Sequence, residues 1–325
     1  MKTFCGADDA IMYSDGASAV SSAVAAFAKR GDLLVVDEGV YESLQTGVTL
    51  SRSSVKYFKH NDMTDLRRVL ERIDDKDKSI GRKSNEQRRF IIVEGLYKNY
   101  GDLAPIDEIV RLKHEFGYRL IVDESLSFGS VGKNGKGAID LHGMKFMDDV
   151  EIVTISLENA IASVGGICIG DEEIVDHQRL SGAGYCFSAS APPFTASAAI
   201  ASIRAMQDTP ELMKRLSVNR ETLLKELESV PYLNVISDIR SCIVFMRLRD
   251  SSSQTSLADE EALYAKITGK CLDCGVMFIS TEHVRPLLHL SPPPSIRITV
   301  TAAHTKTEIR KAVQVLSNAV KTLIR

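Results

Sequence analysis

Asp37, Glu94 and Asp123 each close an apolar run: Leu33-Leu34-Val35-Val36, Phe90-Ile91-Ile92-Val93 and Leu120-Ile121-Val122. Continuous apolar runs mark strands buried on both faces of a parallel sheet, and such sheets bind ligands at the carboxyl ends of their strands. Three acids converging on one edge modestly raise the odds of a ligand site there. Helix capping and loop solvation are the competing uses of strand-end acids. Gly16-Ala17-Ser18-Ala19 opens a helical stretch, where backbone amides can face an anion, although small residues equally serve close helix packing. Cys271-Leu272-Asp273-Cys274 has the C-x-x-C spacing of redox and zinc sites. The pair closes the helical stretch Leu257–Cys271, so no N-terminal dipole lowers a thiol pKa, and no second ligand pair follows for zinc. Packing at a helix end is its expected role.

These residues need a frame of alternating strands and helices to hold them. Ala19–Ala28, Met63–Ile73 and Ile106–Phe116 repeat apolar residues at helical spacing, and Val55–Phe58, Val150–Ser156 and Gly166–Ile169 join the three runs above as strands. Strands separated by helices predict βαβ units and a mostly parallel sheet with helices on both faces. Asp74–Arg89 is charged, aperiodic and contains Gly and Ser, which predicts a solvated surface loop. Beyond Ala196 the pattern changes to long helices at Ala196–Met206 and Pro210–Glu228, strands at Ile243–Leu248, Val276–Ile279 and Ile296–Val300, and a last helix at Lys306–Leu323. The expected organisation is a large α/β domain over 1–205 and a smaller α+β domain over 206–325.

The composition sets the outer bounds. With 325 residues, 44% hydrophobic and 26% charged, the chain is an ordinary globular one, larger than a typical single domain. A net charge of −3 argues against nucleic-acid binding, which usually needs a basic surface. No apolar run reaches the roughly 18 residues of a membrane span. Met1-Lys2-Thr3-Phe4-Cys5 does not read as a secretory signal, and six scattered cysteines suit a reducing compartment.

A longer motif is more specific. Asp123-Glu124-Ser125-Leu126-Ser127-Phe128-Gly129, followed by Gly132-Lys133-Asn134-Gly135-Lys136-Gly137, resembles the DEAHSxGxxGxxGRG segment of the α-oxoamine synthases. These are pyridoxal-phosphate enzymes of the aspartate-aminotransferase fold. His60-Asn61-Asp62, Glu94-Gly95-Leu96-Tyr97 with Gly101-Asp102, Phe187-Ser188-Ala189-Ser190-Ala191-Pro192-Pro193, and Arg297 through His304 match further family motifs in order. The resemblance implies that Asp123 is the partner of the pyridinium nitrogen, which keeps the ring an electron sink. It also implies that the loop carrying Ser188 and Ser190 reaches the cofactor phosphate of a neighbouring subunit.

The departures point further. Counting back from Gly165-Gly166, the family's cofactor lysine falls on Asn159, and an amide forms no Schiff base. The family histidine that bonds the phenolic oxygen of the cofactor is Leu126. The histidine that stacks on the ring is Tyr41. The serine that follows the Glu-Gly motif is Lys98. Lys98, Lys133 and Lys136 match surface or glycine-loop positions and do not replace the missing lysine.

This pattern of losses is similar to the subunit 1 family of serine palmitoyltransferases, most closely over Ser156–Gly166, Asp176–Ser190 and Pro292–Arg297. That resemblance implies a non-catalytic chain paired with a lysine-bearing subunit 2, which holds the pyridoxal phosphate at the shared interface. The complex condenses L-serine with palmitoyl-CoA to 3-ketosphinganine on the cytosolic face of the endoplasmic reticulum. Members of that family carry an N-terminal membrane segment and a GTxYGTxDVHLxLE stretch ahead of the point where this chain starts, so a fragment, a partial gene model or a short isoform is expected. A stand-alone scaffold of the same fold and an active homodimeric synthase remain the alternatives.

Overall fold

The apolar runs form the centre of a seven-stranded sheet in a computed structural model that describes residues 1–83, 86–249, 256–281 and 285–324. The strands are β1 (Asp9–Tyr13), β2 (Leu33–Asp37), β3 (Ser54–Phe58), β4 (Arg89–Glu94), β5 (Arg119–Asp123), β6 (Ile152–Ser156) and β7 (Gly166–Gly170). They lie in the order β1-β7-β6-β5-β4-β2-β3. β2 through β6 are mutually parallel, whereas β7 runs antiparallel to both β6 and β1. Every residue of β2, β4 and β6 is buried, as runs such as Leu-Leu-Val-Val require when both faces are covered. The register sets Glu94 beside Asp123, and β2 flanks β4 on its other side. The three acids therefore end three neighbouring strands.

Helices α1 (Lys2–Cys5), α2 (Gly16–Phe27), α3 (Glu42–Ser51), α4 (Met63–Ile80), α5 (Ile106–Phe116), α6 (Ala138–Leu141), α7 (Glu172–Ser181), α8 (Ala183–Cys186) and α9 (Pro193–Asp208) accompany this sheet. Asp15 caps α2 by accepting from the Ser18 amide at 2.7 Å. The small residues there are used for close approach: a Cβ on Gly16 would stand 2.5 Å from the Ser156 hydroxyl, and one on Gly47 of α3 would stand 2.8 Å from the Ser21 carbonyl. The Gly16 amide faces the Glu158 carboxylate at 3.5 Å, an arrangement that disfavours an anion at this helix end.

Two compact units divide the chain. Met1–Asn99, Leu103–Asp208 and Arg285–Leu290 form the first, and Tyr100–Asp102, Thr209–Val284 and Ser291–Arg325 the second. The second holds an antiparallel sheet in the order β10-β11-β9-β8, built from β8 (Leu233–Val235), β9 (Ile243–Leu248), β10 (Ile279–Ser280) and β11 (Ile296–Thr299). Its helices are α10 (Glu211–Leu227), α11 (Leu257–Asp273) and α12 (Lys306–Leu323), the last opened by a reciprocal capping box between Thr305 and Glu308. Cys271 is buried on α11 while Cys274 is exposed just past its end, and burial pushes the Cys271 thiol up to about 11.

The structure differs from the sequence expectation in several elements. α4 continues to Ile80, well into the stretch expected to be a loop, because Asp77 is buried and bridges to Arg89 and, at 3.1 Å, to Arg82. Ser84 and Asn85 of that stretch lie outside the described residues. The strand expected over Val276–Ile279 is the two-residue β10, displaced toward Ser280 by a turn at Gly275 with φ 76°. β1, α3, α7 and β8 carry no strong periodic signal. In α3 the sequence ESLQTGVTLS mixes Gly with β-branched residues of low helix propensity, and burial of Leu44 and Val48 overrides it.

Candidate functional site

Asp123 leaves β5 with its carboxylate buried and already satisfied. Its Oδ1 accepts from the Ser125 hydroxyl and from the Thr154 hydroxyl, each at 2.7 Å. Burial pushes the Asp123 carboxyl up to about 6, against the opposing pull of these hydroxyl donors. Thr154 is in position because β6 pairs with β5 in a register that sets it opposite Asp123.

Glu94 occupies the end of the next strand. Its two oxygens accept from the Tyr41 amide at 2.7 Å and the Lys98 amide at 2.8 Å. Burial first, and then the neighbouring Asp123 charge, hold this carboxyl well above the usual range. Asp37, one strand further, accepts from the Gly39 amide at 2.8 Å and the Asn61 amide at 2.9 Å, and faces His60 Nδ1 at 2.9 Å. The His60 ring meets Tyr97 edge-on at 4.4 Å. Each acid thus tethers the chain segment that follows a strand.

Tyr41 sits just ahead of α3, only 7% exposed, with the Lys98 ammonium 5.1 Å from its ring centroid. Lys98 also pairs with Glu42. Burial, then the charges of Asp123 and Glu94, raise the Tyr41 phenol well above its ordinary pKa, so it stays a protonated donor.

Asn159 lies exposed on the loop after β6 and donates its side-chain amide to the Ser125 carbonyl at 2.8 Å. Leu126 is half-buried in the turn after β5. Asn159 is therefore tied to the Asp123–Ser125 turn and Tyr41 to the neighbouring Glu94, and Leu126 follows that turn directly. Ser188 and Ser190 stand apart from it. Both are exposed between α8 and α9, and Ser188 donates to the Gly184 carbonyl at 2.6 Å. Among the described residues no hydrogen bond joins either serine to the strand-end cluster.

Glu124 takes a structural part that its place in the motif did not announce. It accepts from the Ala138 and Ile139 amides at 2.9 and 2.8 Å and from the Ser127 hydroxyl, clamping the glycine-rich loop back onto β5. Burial pushes this carboxyl up to about 7. A Cβ on Gly95 or Gly137 would stand 2.5 or 2.4 Å from its Oε2, which explains both glycines. Ser125 and Thr154, the donors to Asp123, belong to no motif that marks them as such. Their one signal was a hydroxyl residue at a strand end beside an acid.

A sequence model of the family described as aminotransferase class I and II matches residues 2–316. The chain belongs to that family. It is 42% identical to long chain base biosynthesis protein 1b of Oryza sativa subsp. japonica over 322 residues, covering 99% of this chain and 65% of that protein. Long chain base biosynthesis protein 1 of Arabidopsis thaliana is 38% identical, with 99% and 65% covered, and serine palmitoyltransferase 1 of Dictyostelium discoideum is 37% identical, with 97% and 65% covered. The chain thus spans about two thirds of these relatives, just under that fraction. Among solved structures, a high-resolution SPT with a PLP internal aldimine superimposes with a TM-score of 0.85 at 24% identity, covering 99% of this chain and 75% of that one. A Sphingomonas wittichii serine palmitoyltransferase gives 0.85 at 24%, covering 99% and 74%. The fold is the α/β fold of pyridoxal-phosphate-dependent transferases.

The residues of this chain do not fit the cofactor of that fold. Asn159, where the motif spacing expects the cofactor lysine, offers an amide, and that amide is spent on the Ser125 carbonyl. The carboxylate that would meet a ring nitrogen has its donors supplied from within the chain.

Proposed function

We propose that this chain is the lysine-less, non-catalytic subunit of a serine palmitoyltransferase. The carrying observation is the cluster just described: Asn159 in the position that the motif spacing gives the lysine, with Asp123 held by Ser125 and Thr154. A pocket so filled has no nucleophile and no open counter-ion, so the chemistry belongs to a lysine-bearing subunit 2 that holds the pyridoxal phosphate. Relatives named for long-chain-base biosynthesis and serine palmitoyltransferase support the same reading. The complex condenses L-serine with palmitoyl-CoA, releases carbon dioxide and yields 3-ketosphinganine.

The surface around the Ser188 loop supports assembly. Leu180, Phe187 and Phe194 are 83%, 89% and 72% exposed, unusual for large apolar side chains so close in sequence. A partner covering them would bring the hydroxyls of Ser188 and Ser190 to its cofactor phosphate, where two donors suit a dianion. Among the described residues no helix is long and apolar enough to cross a membrane. Association with the endoplasmic reticulum is part of the same proposal and follows from the resemblance to serine palmitoyltransferase subunit 1.

Co-expression with a lysine-bearing serine palmitoyltransferase subunit tests the assembly, with mass read by light scattering. A stable complex with one copy of each chain is expected. Recovery of this chain free of that subunit would instead favour a stand-alone scaffold.

A further inference from the structure

At the edge of the large sheet opposite the three acids, charge gathers a second time. Arg88 precedes β4, Arg119 opens β5 and Glu151 precedes β6, so three parallel strands start on charged side chains. A cleft of about 340 Å³ lies between these strand starts, the end of α2 and the first turns of α7, all within the first compact unit. That volume falls in the range of roughly 300–1,000 Å³ typical of small-molecule sites. Phe27, Ile152 and Ile174 line it with apolar surface, and charged groups of both signs share its lining.

Most of those charges are already engaged. Arg88 pairs with Asp32 at 2.7 Å, and Glu151 accepts from Lys113 Nζ and from the Leu120 amide, each at 2.7 Å. Asp171 caps α7 by accepting from the Ile174 amide at 2.7 Å. Two exposed groups are left over. Among the described residues no carboxylate pairs with Arg119, whose guanidinium rests 6.0 Å from the Phe90 ring centroid, and no cation pairs with Glu173. We propose that this cleft binds a free α-amino acid with an apolar side chain. Its carboxylate meets Arg119, its ammonium meets Glu173, and its side chain lies against Phe27, Ile152 and Ile174. The inference does not rest on the function proposed above.

Charge balance selects the class of ligand. A polyanion such as a phosphate would face Asp171, Glu173 and Glu151, with Arg119 the one lining cation not yet committed to a carboxylate. A simple anion leaves Glu173 without a partner beside apolar surface, and a simple cation leaves Arg119 so. A zwitterion satisfies both, and a planar guanidinium grips a carboxylate through two parallel N–H donors. Both charged partners are exposed, so binding in the millimolar range is expected.

Saturation-transfer NMR titration of the chain with L-phenylalanine tests this. N-acetyl-L-phenylalanine lacks the ammonium and L-phenylalaninamide lacks the carboxylate, so each analogue offers one charge alone. Saturable binding of L-phenylalanine is expected, with both analogues weaker by at least about fivefold. Arg119→Gln and Glu173→Gln should each weaken L-phenylalanine by at least about fivefold as well, with circular dichroism reporting the fold. Should either variant fold poorly, the two analogues on the parent chain still decide the matter. Absence of saturable binding by the parent chain overturns the proposal. So does an analogue that binds as tightly as L-phenylalanine, and so does a folded variant with the parent's affinity.

Discussion

Asn159 stands where the family motif expects a lysine, and its surroundings engage it as an amide. Its side chain donates to the Ser125 carbonyl, and Tyr41 and Leu126 occupy the positions where the family resemblance expects two histidines. Asn159→Lys alone should therefore leave the isolated chain without condensing activity, and borohydride treatment with pyridoxal phosphate should yield no stoichiometric adduct at residue 159. Peptide mapping reads the second outcome directly. An adduct confined to that lysine, with turnover, would show that Tyr41 and Leu126 matter less than the geometry indicates. A different effect governs Gly137, which has φ 100° and a backbone packed against Glu124. Gly137→Ala adds left-handed strain and pushes a Cβ into the carboxylate. A loss of roughly 1–3 kcal/mol is expected, measured by urea unfolding.

At the level of elements, the Ser188 loop carries the sharpest consequence. Ser188→Phe should leave this chain folded, because the side chain is exposed and its one strong bond is local, to Gly184. In the complex it should lower turnover or loosen the choice between serine and alanine, since displacements of about 1 Å can cost ~10²-fold in rate. Assembly is checked separately by gel filtration, and unchanged kinetics with both amino acids would place the loop away from the chemistry. The strands that carry the candidate site were legible for a simple reason. Leu33–Asp37, Phe90–Glu94 and Leu120–Asp123 are buried on both faces, so composition alone marks them and places an acid at each end. α3 and α7 were not legible, because tertiary burial of a few residues, such as Val175 and Gln178, holds them together more than periodicity does. Within the site, motif spacing points to Asp123 and Asn159, and the structure joins both to Ser125. The satisfaction of Asp123 by Thr154 could not, because it depends on the pairing register of β5 with β6.

For the whole molecule, the buried acids set a pH dependence. Asp123 and Glu124 have folded pKa values of about 6 and about 7, raised from 3.8 and 4.5 by burial. Between those limits the folded chain binds more protons than the unfolded one, so stability falls as pH rises from about 4.5 to about 7. Acids with lowered values, such as Asp9 and Asp65, lose their contribution only below the usual carboxylate range, outside that window. Melting temperature followed by calorimetry should accordingly be higher at pH 5.5 than at pH 8, and the reverse order would contradict the burial argument. The central claim concerns division of labour between two chains, and one measurement addresses it most directly. 3-Ketosphinganine formation from L-serine and palmitoyl-CoA is assayed for this chain, for a lysine-bearing subunit 2, and for their purified complex, each with pyridoxal phosphate. Product from the complex and none from this chain alone is the predicted result. Turnover by this chain alone, or a complex no more active than subunit 2 by itself, would contradict it.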